Sequence, residues 1–218
     1  MKVIPVINCS NFDCVKEKIS QATEIGAAWV HVDIEDGKFL TAQTWNNPQE
    51  LKEFLLTTHY SLPTTEIHLM VENPEEVLEE WIAVGAKRIF IHSEAISNID
   101  KFIDIVKKNK KTEFGVAIKP ETEAKELLLY SKFINLFQIL AVNPGPSGQK
   151  FNPSILEKIH FLRTNLPNAK NVKIEVDGGI NKETAKLIKI AGADIIVSSS
   201  YIWNSENPKE TYEELRNI

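Results

Sequence analysis

Four residues of this chain carry side chains suited to binding a divalent cation, and all four fall at the ends of β-branched, strand-like runs. His31 and Asp33 are two apart, so on a strand both point to one face. His68 closes the run Glu66-Ile67-His68, and Asp177 precedes Gly178-Gly179. Two imidazoles and two carboxylates make a borderline donor set, suited to zinc, iron, manganese or cobalt. Singly, each is weak: a strand-end His is more often a hydrogen-bonded structural residue, and an Asp before Gly-Gly is usually a turn residue. His92 also ends a strand-like run, has no second residue to pair with, and reads as structural or pocket-lining. A second group consists of small residues. Asn143-Pro144-Gly145-Pro146-Ser147-Gly148, Gly178-Gly179 and Ser198-Ser199-Ser200 each follow a strand candidate. Backbone N–H groups of such loops approach a phosphate closely, and a short helix after the last strand adds a favourable dipole. The plain alternative is three tight turns.

These residues gain meaning from the elements that must hold them. Short apolar runs at 3–7, 29–33, 65–70, 88–92, 113–118, 136–142, 173–176 and 195–199 read as strands buried on both faces. Between and after them, amphipathic segments at 13–25, 48–57, 74–84, 99–108, 122–130, 153–164, 182–191 and 209–217 read as helices, several opening on Asp, Asn or Pro. Gly-Ala recurs at Gly26, Gly85 and Gly192, between a helix and the next strand, where a left-handed C′ residue reverses the chain. Eight βα units without a linker predict a single (β/α)8 TIM barrel spanning 1–218; an open flavodoxin-like sheet is the alternative and needs fewer units. In such a barrel the site lies at the C-terminal strand ends, where the four candidate ligands would converge, and phosphate loops come after the last strands.

Composition narrows the function classes. The 218 residues are 43% hydrophobic and 25% charged, as in ordinary globular proteins. A net charge of -5 argues against a nucleic-acid partner. No apolar run approaches the roughly 18 residues of a membrane span, and the early Pro5 argues against a signal peptide. A cytoplasmic location is therefore expected. The two cysteines, Cys9 and Cys14, are close enough in sequence to pair, but reduced thiols are the expectation for that compartment.

The ordered stretches His31-Val32-Asp33-Ile34-Glu35-Asp36-Gly37-Lys38-Phe39, Ile67-His68-Leu69-Met70-Val71-Glu72-Asn73-Pro74, Val142-Asn143-Pro144-Gly145, Gly148-Gln149-Lys150-Phe151, Glu175-Val176-Asp177-Gly178-Gly179-Ile180-Asn181 and Ala191-Gly192-Ala193-Asp194 resemble the ribulose-phosphate 3-epimerase family. The likeness runs over nearly the whole chain. It implies a ribulose-phosphate-binding barrel with one divalent metal held by His31, Asp33, His68 and Asp177. It further implies that Asp33 and Asp177 act as acid and base on opposite faces of a ketose phosphate, the metal stabilising a cis-enediolate. Phosphate would be held by Gly145, Pro146, Ser147, Gly148, Gly178, Gly179, Ser199 and Ser200. Family members are often dimers or hexamers, which implies a homo-oligomer.

Departures from the family pattern cluster near this chemistry. Val6 stands where a Ser is usual, and Asn8-Cys9-Ser10-Asn11 where Leu-Ser-Ala-Asp is usual. Of three methionines that normally cover the enediolate, Met70 remains, and the other positions hold Glu35 and Leu140. If the strand persists past Asp33, Glu35 shares its face and opposes developing negative charge. Alternatively Glu35 is protonated, pairs with Lys38 or Lys119, joins the metal site, or turns to solvent. Pro146 removes an N–H donor, Ser199 crowds a phosphate or adds a hydroxyl donor, and Lys119 and Glu121 replace the Asn and Gly common after strand 5. The leading reading is a metal-dependent 3-epimerase, with D-ribulose 5-phosphate and D-xylulose 5-phosphate as the pair. Its alternatives are an epimerase for another sugar phosphate and a non-catalytic barrel that binds metal or sugar phosphate. A related sugar-phosphate decarboxylase is disfavoured, because its Asp-x-Lys-x-x-Asp pattern is replaced by Glu66-Ile67-His68-Leu69-Met70.

Overall fold

The structure, a computed structural model, describes residues 1–58, 61–143, 145, 148–167 and 169–218. Eight parallel strands are hydrogen-bonded in chain order, and β1 (Lys2–Ile7) also pairs with β8 (Ile195–Ser198), which closes the barrel. The expected barrel is therefore present, and the open sheet is not. By contact density the chain groups into two half-barrels, one comprising Val6–Phe114 and the other Met1–Pro5 with Gly115–Ile218. Among the described residues no helix is long and apolar enough to cross a membrane.

In the first half, α1 (Phe12–Glu24), β2 (Trp29–Glu35), α2 (Pro48–Thr57), β3 (Thr64–Met70), α3 (Pro74–Ala83), β4 (Arg88–His92) and α4 (Ile99–Lys108) alternate. Asn11, Asn47 and Asn98 cap three of the helices by accepting backbone N–H groups, which satisfies donors that a helix start leaves open. The register of β2 on β3 sets His31 beside Glu66, Asp33 beside His68 and Glu35 beside Met70. On the other side of β2, Val6 pairs with His31. Strand β2 runs two residues beyond the sequence expectation, because Thr44 accepts the Glu35 N–H and donates to the Asp33 carbonyl. Glu35 is consequently part of the strand rather than of a turning loop.

Cys9 and Cys14 form a disulfide, which corrects the expectation of free thiols. The first turn of α1 folds back on the end of β1 and leaves the two Cα atoms 5.8 Å apart, inside the range a disulfide spans.

The second half carries β5 (Glu113–Ile118), β6 (Leu136–Leu140), α5 (Ile155–Asn165), β7 (Lys173–Asp177), α6 (Lys182–Ala191), β8, α7 (Ser200–Trp203) and α8 (Pro208–Arg216). Between β5 and β6 the expected α-helix is a 3-10 helix, Ala124–Tyr130. Its start, Glu123, makes no side-chain cap, and Ala124, Leu127 and Tyr130 repeat every third residue on its buried side, the period of a 3-10 helix. The Gly-Ala expectation holds: Gly26, Gly85 and Gly192 have φ of 76°, 93° and 109°, a left-handed region that favours glycine.

Arg163 fastens α5 to the connections before β7 and β8. Its guanidinium donates to the carbonyls of Gly192 (2.8 Å), Ala169 (2.8 Å) and Val172 (2.7 Å), and pairs with Asp194, which also accepts the Ile174 N–H at 2.7 Å. No single ammonium reaches all of these acceptors. Arg163→Ala is expected to lower unfolding stability by about 2–3 kcal/mol in a denaturant titration, and Arg163→Lys to recover less than half of the loss.

Candidate active site

His31, Asp33 and His68 are buried at the C-terminal side of β2 and β3 and each offers a ligand atom within 4.8 Å of the others. The convergence comes from the register: alternate residues of a strand share a face, and pairing Asp33 with His68 sets the two strands' donors at one level. The Asp33 Oδ1 lies 3.2 Å from both His31 Nε2 and His68 Nδ1. On the far side of the His31 ring, Nδ1 is 2.6 Å from Glu66 Oε1. Glu66 is fully buried and ion-paired with Arg88, whose guanidinium also meets Glu113 at 2.8 Å and lies 4.7 Å over the Trp29 ring. The far nitrogen of His68 is 3.0 Å from His92 Nε2, and His92 Nδ1 is 3.1 Å from Glu94. Each imidazole thus has one nitrogen facing Asp33 and the other fixed from behind, the arrangement that sets ring orientation in metal sites.

Burial dominates the electrostatics, and neighbours decide its outcome. For Asp33, burial favours the neutral acid, but the His31 and His68 imidazoles, each 3.2 Å from Oδ1, outweigh it and hold the carboxyl well below the usual range. For His31, burial disfavours the cation, yet Asp33 and Glu66 raise its affinity for a proton well above the ordinary level. His68 is pushed down to about 4 by burial and by the charges of His92 and His31, against the pull of Asp33. It is therefore neutral near pH 7, and with its proton on Nε2 instead of Nδ1 it would present a lone pair on the side of Asp33. An ionised carboxylate, a neutral imidazole and a second imidazole set against a buried carboxylate fit a borderline divalent cation.

Glu35 is 1% exposed and on the same face as Asp33, which excludes the solvent-facing alternative. Its contact is with Asn8 rather than with Lys38: one amide nitrogen of Asn8 lies 3.2 Å from Asp33 Oδ2 and 3.3 Å from Glu35 Oε1. Burial, and then the charge of Asp33, raise the Glu35 carboxyl, with Asn8 partly opposing. Met70 and Val6 are buried in the same half.

In the second half, Asp177 ends β7, half-buried, with Leu140 its neighbour on β6. The candidate phosphate residues Gly148, Gly179 and Ser200 line one cavity of about 630 Å³, together with Lys150, Asn181 and Tyr201. Gly179 has φ of 65°, and a Cβ there would stand 2.6 Å from the Cα of Phe151, so only glycine lets the two loops meet. Gly145, Gly178 and Ser199 are not among the residues lining that cavity, although Ser199 starts α7 and its carbonyl accepts the Ile202 and Trp203 N–H groups. Pro146 and Ser147 lie outside the described residues.

Sequence reasoning passed over the residues behind the imidazoles. Glu66 lies two before His68 and Glu94 two after His92, so the spacing that selected His31 and Asp33 also marks them. Arg88 and Glu113 carry no such signal, since only register brings them to Glu66.

Site and fold together define a closed (β/α)8 barrel with a buried His/Asp cluster at the C-terminal ends of its strands. A family profile described as "Ribulose-phosphate 3 epimerase family" matches residues 2–203. The chain is 32% identical to ribulose-phosphate 3-epimerase of Chlamydia muridarum (strain MoPn / Nigg) over 94% of this chain and 89% of that protein. It is 31% identical to ribulose-phosphate 3-epimerase of Bacillus subtilis (strain 168) over 99% and 98%. Among solved structures, 3-hexulose-6-phosphate synthase superposes with a TM-score of 0.70 at 14% identity, covering 100% of this chain and 99% of that one, a likeness of fold. The chain belongs to the ribulose-phosphate 3-epimerase family and is an enzyme of the epimerase class.

The Glu66–Arg88–His31 network makes stability depend on acid. The folded-state value of Glu66 lies below its ordinary 4.5: burial alone would raise it, but His31 and Arg88 more than compensate. The stabilisation is therefore present above pH 4.5 and is lost as pH falls through the lowered value. Glu66→Gln is expected to flatten that limb of a stability-against-pH profile, and identical limbs would contradict the assignment. Glu66→Ala, which leaves Arg88 buried against Glu113 alone, is expected to cost about 3–5 kcal/mol.

Proposed function

We propose that this chain interconverts the C3 epimers of a ketose phosphate, D-ribulose 5-phosphate and D-xylulose 5-phosphate being the first pair to test. The observation that carries the reading is the buried His31–Asp33–His68 group, whose donor set suits a cation, in a member of this family. Asp177, at the end of β7, completes the proposed cage for one divalent ion, zinc, iron, manganese or cobalt. When bound, that ion supplies Lewis-acid stabilisation of negative charge developing on the sugar oxygens.

The chain's own residues supply the proton transfers. Asp33, held ionised by His31 and His68, takes the C3 proton on one face; Asp177 returns a proton from the other, and the two exchange roles in the reverse direction. The C3–H electron pair meanwhile rests in a cis-enediolate. Buried Val6, Met70 and Leu140, strand neighbours of His31, Glu35 and Asp177, add apolar surface beside the polar Asn8–Glu35 pair. The phosphate is assigned to Gly148, Gly179 and Ser200, which line one cavity with Lys150, and Gly145, Pro146, Ser147, Gly178 and Ser199 are the further candidates of the same loops. A second reading, another ketose phosphate as substrate, is favoured by the polar Asn8–Glu35 pair where the family is apolar. A single working domain, a homo-oligomeric state and a cytoplasmic location belong to the same proposal.

The test is exchange of the C3 proton of ribulose 5-phosphate with deuterated water, monitored by NMR on the metal-loaded protein. Exchange accompanied by xylulose 5-phosphate is expected, and Asp33→Asn or Asp177→Asn should each slow it about 10²–10⁴-fold. Exchange with a different ketose phosphate alone would select the second reading. No exchange with any ketose phosphate by metal-replete protein would reject the enzyme reading in favour of a binding role.

A further inference from the structure

Asn8 touches Asp33 at Oδ2, the carboxylate oxygen turned away from the two imidazoles, whose contacts are with Oδ1. Asn8 is thus placed to fix the oxygen left for proton transfer. Yet it is an exposed residue on a loop, just past the end of β1. Its C-terminal neighbour is Cys9, and the Cys9–Cys14 disulfide is a covalent ring that ties the residue beside Asn8 to the first turn of α1. The Cys9 carbonyl accepts the Trp45 N–H at 2.7 Å, and Phe12, inside the ring, stacks on Trp45 with ring centroids 4.9 Å apart. Closing such a ring removes conformations that an open loop would otherwise sample.

We propose that Asn8 is a positioning residue for Asp33 and that the Cys9–Cys14 disulfide holds it in place, so that the site responds to thiol–disulfide exchange. The inference rests on the epimerase reading for its catalytic readout. Cys9 is 5% exposed, whereas Cys14 is half-buried and is the sulfur within reach of a reagent. A thiolate of a dithiol reductant attacks Cys14 Sγ, the S–S bond breaks, and Cys9 leaves as a thiolate that takes up a proton. The second thiol of the reductant then resolves the mixed disulfide, releasing Cys14 as a thiol and the reductant as its own disulfide. Two electrons and two protons enter the protein. The opened loop no longer pins Asn8, and Asp33 Oδ2 loses its fixed donor. The two states differ at the proton-transfer oxygen and not at the phosphate loops, so turnover changes while substrate affinity does not.

The experiment compares oxidised protein, protein reduced with a phosphine (which spares a bound metal from thiol chelation), Cys14→Ser without reductant, and Asn8→Ala. Thiol titration verifies each redox state, and all are loaded with the same metal. The oxidised form is expected to have about tenfold higher kcat than the reduced form and Cys14→Ser, with KM unchanged. Asn8→Ala should match the reduced form and ignore the reductant. Cobalt(II) titration, read by its visible absorption, gives a readout independent of turnover: affinity should fall several-fold on reduction and in Asn8→Ala. If no form turns over any ketose phosphate but cobalt affinity still tracks the redox state, the epimerase reading fails and the coupling stands. Equal kcat and equal cobalt affinity in the two redox forms, or an Asn8→Ala protein that remains as sensitive to reductant as the native chain, would overturn the coupling.

Discussion

The parallel pairing of β2 with β3 is the constraint on which the site depends. A slip of one residue would turn His31, Asp33 and Glu35 to the opposite face and separate Asp33 from His68. Nothing in a run of Val and Ile prevents such a slip. Charge opposes it here, because only one register places Glu66 against His31 and within reach of Arg88. A buried carboxylate without its partners costs several kcal/mol, so alternative registers are penalised by the same groups that orient His31.

That network also explains how ionised and neutral groups coexist in a buried site. Burial alone would neutralise Asp33, and the two imidazoles reverse this. The imidazoles diverge in turn, since His31 faces two carboxylates whereas His68 faces one carboxylate and two other histidines. The proposed chemistry asks for an ionised carboxylate beside a cation, and His31 and His68 keep Asp33 ionised by themselves. Asn8 and Glu35 add a polar pair on the other oxygen of Asp33.

The barrel was legible because each βα unit carries its own signals, from the Asn caps to the left-handed Gly26, Gly85 and Gly192. The four ligand candidates were legible because strand ends and alternation select them. Glu66 was legible in principle, two before His68, but acidic residues near a strand end have many uses. Arg88 and Glu113 were not, since their roles exist only after strands pair. The reach of β2 to Glu35 depended on Thr44, nine residues on, which no local pattern reveals. For Cys9 and Cys14, the expected compartment weighed toward thiols, whereas the backbone of the β1–α1 connection decided the matter. The gap between them gave no sign of whether the first helical turn folds back over the strand end.

The most direct test of the metal cage is a crystal of the protein purified without chelator, with anomalous diffraction measured at the absorption edges of iron, cobalt, manganese and zinc. A single anomalous peak in contact with His31, Asp33, His68 and Asp177, lost in Asp33→Asn, is the expected result. A well-ordered site with those side chains hydrogen-bonded to one another and no peak after soaking in any of the four metals would contradict it.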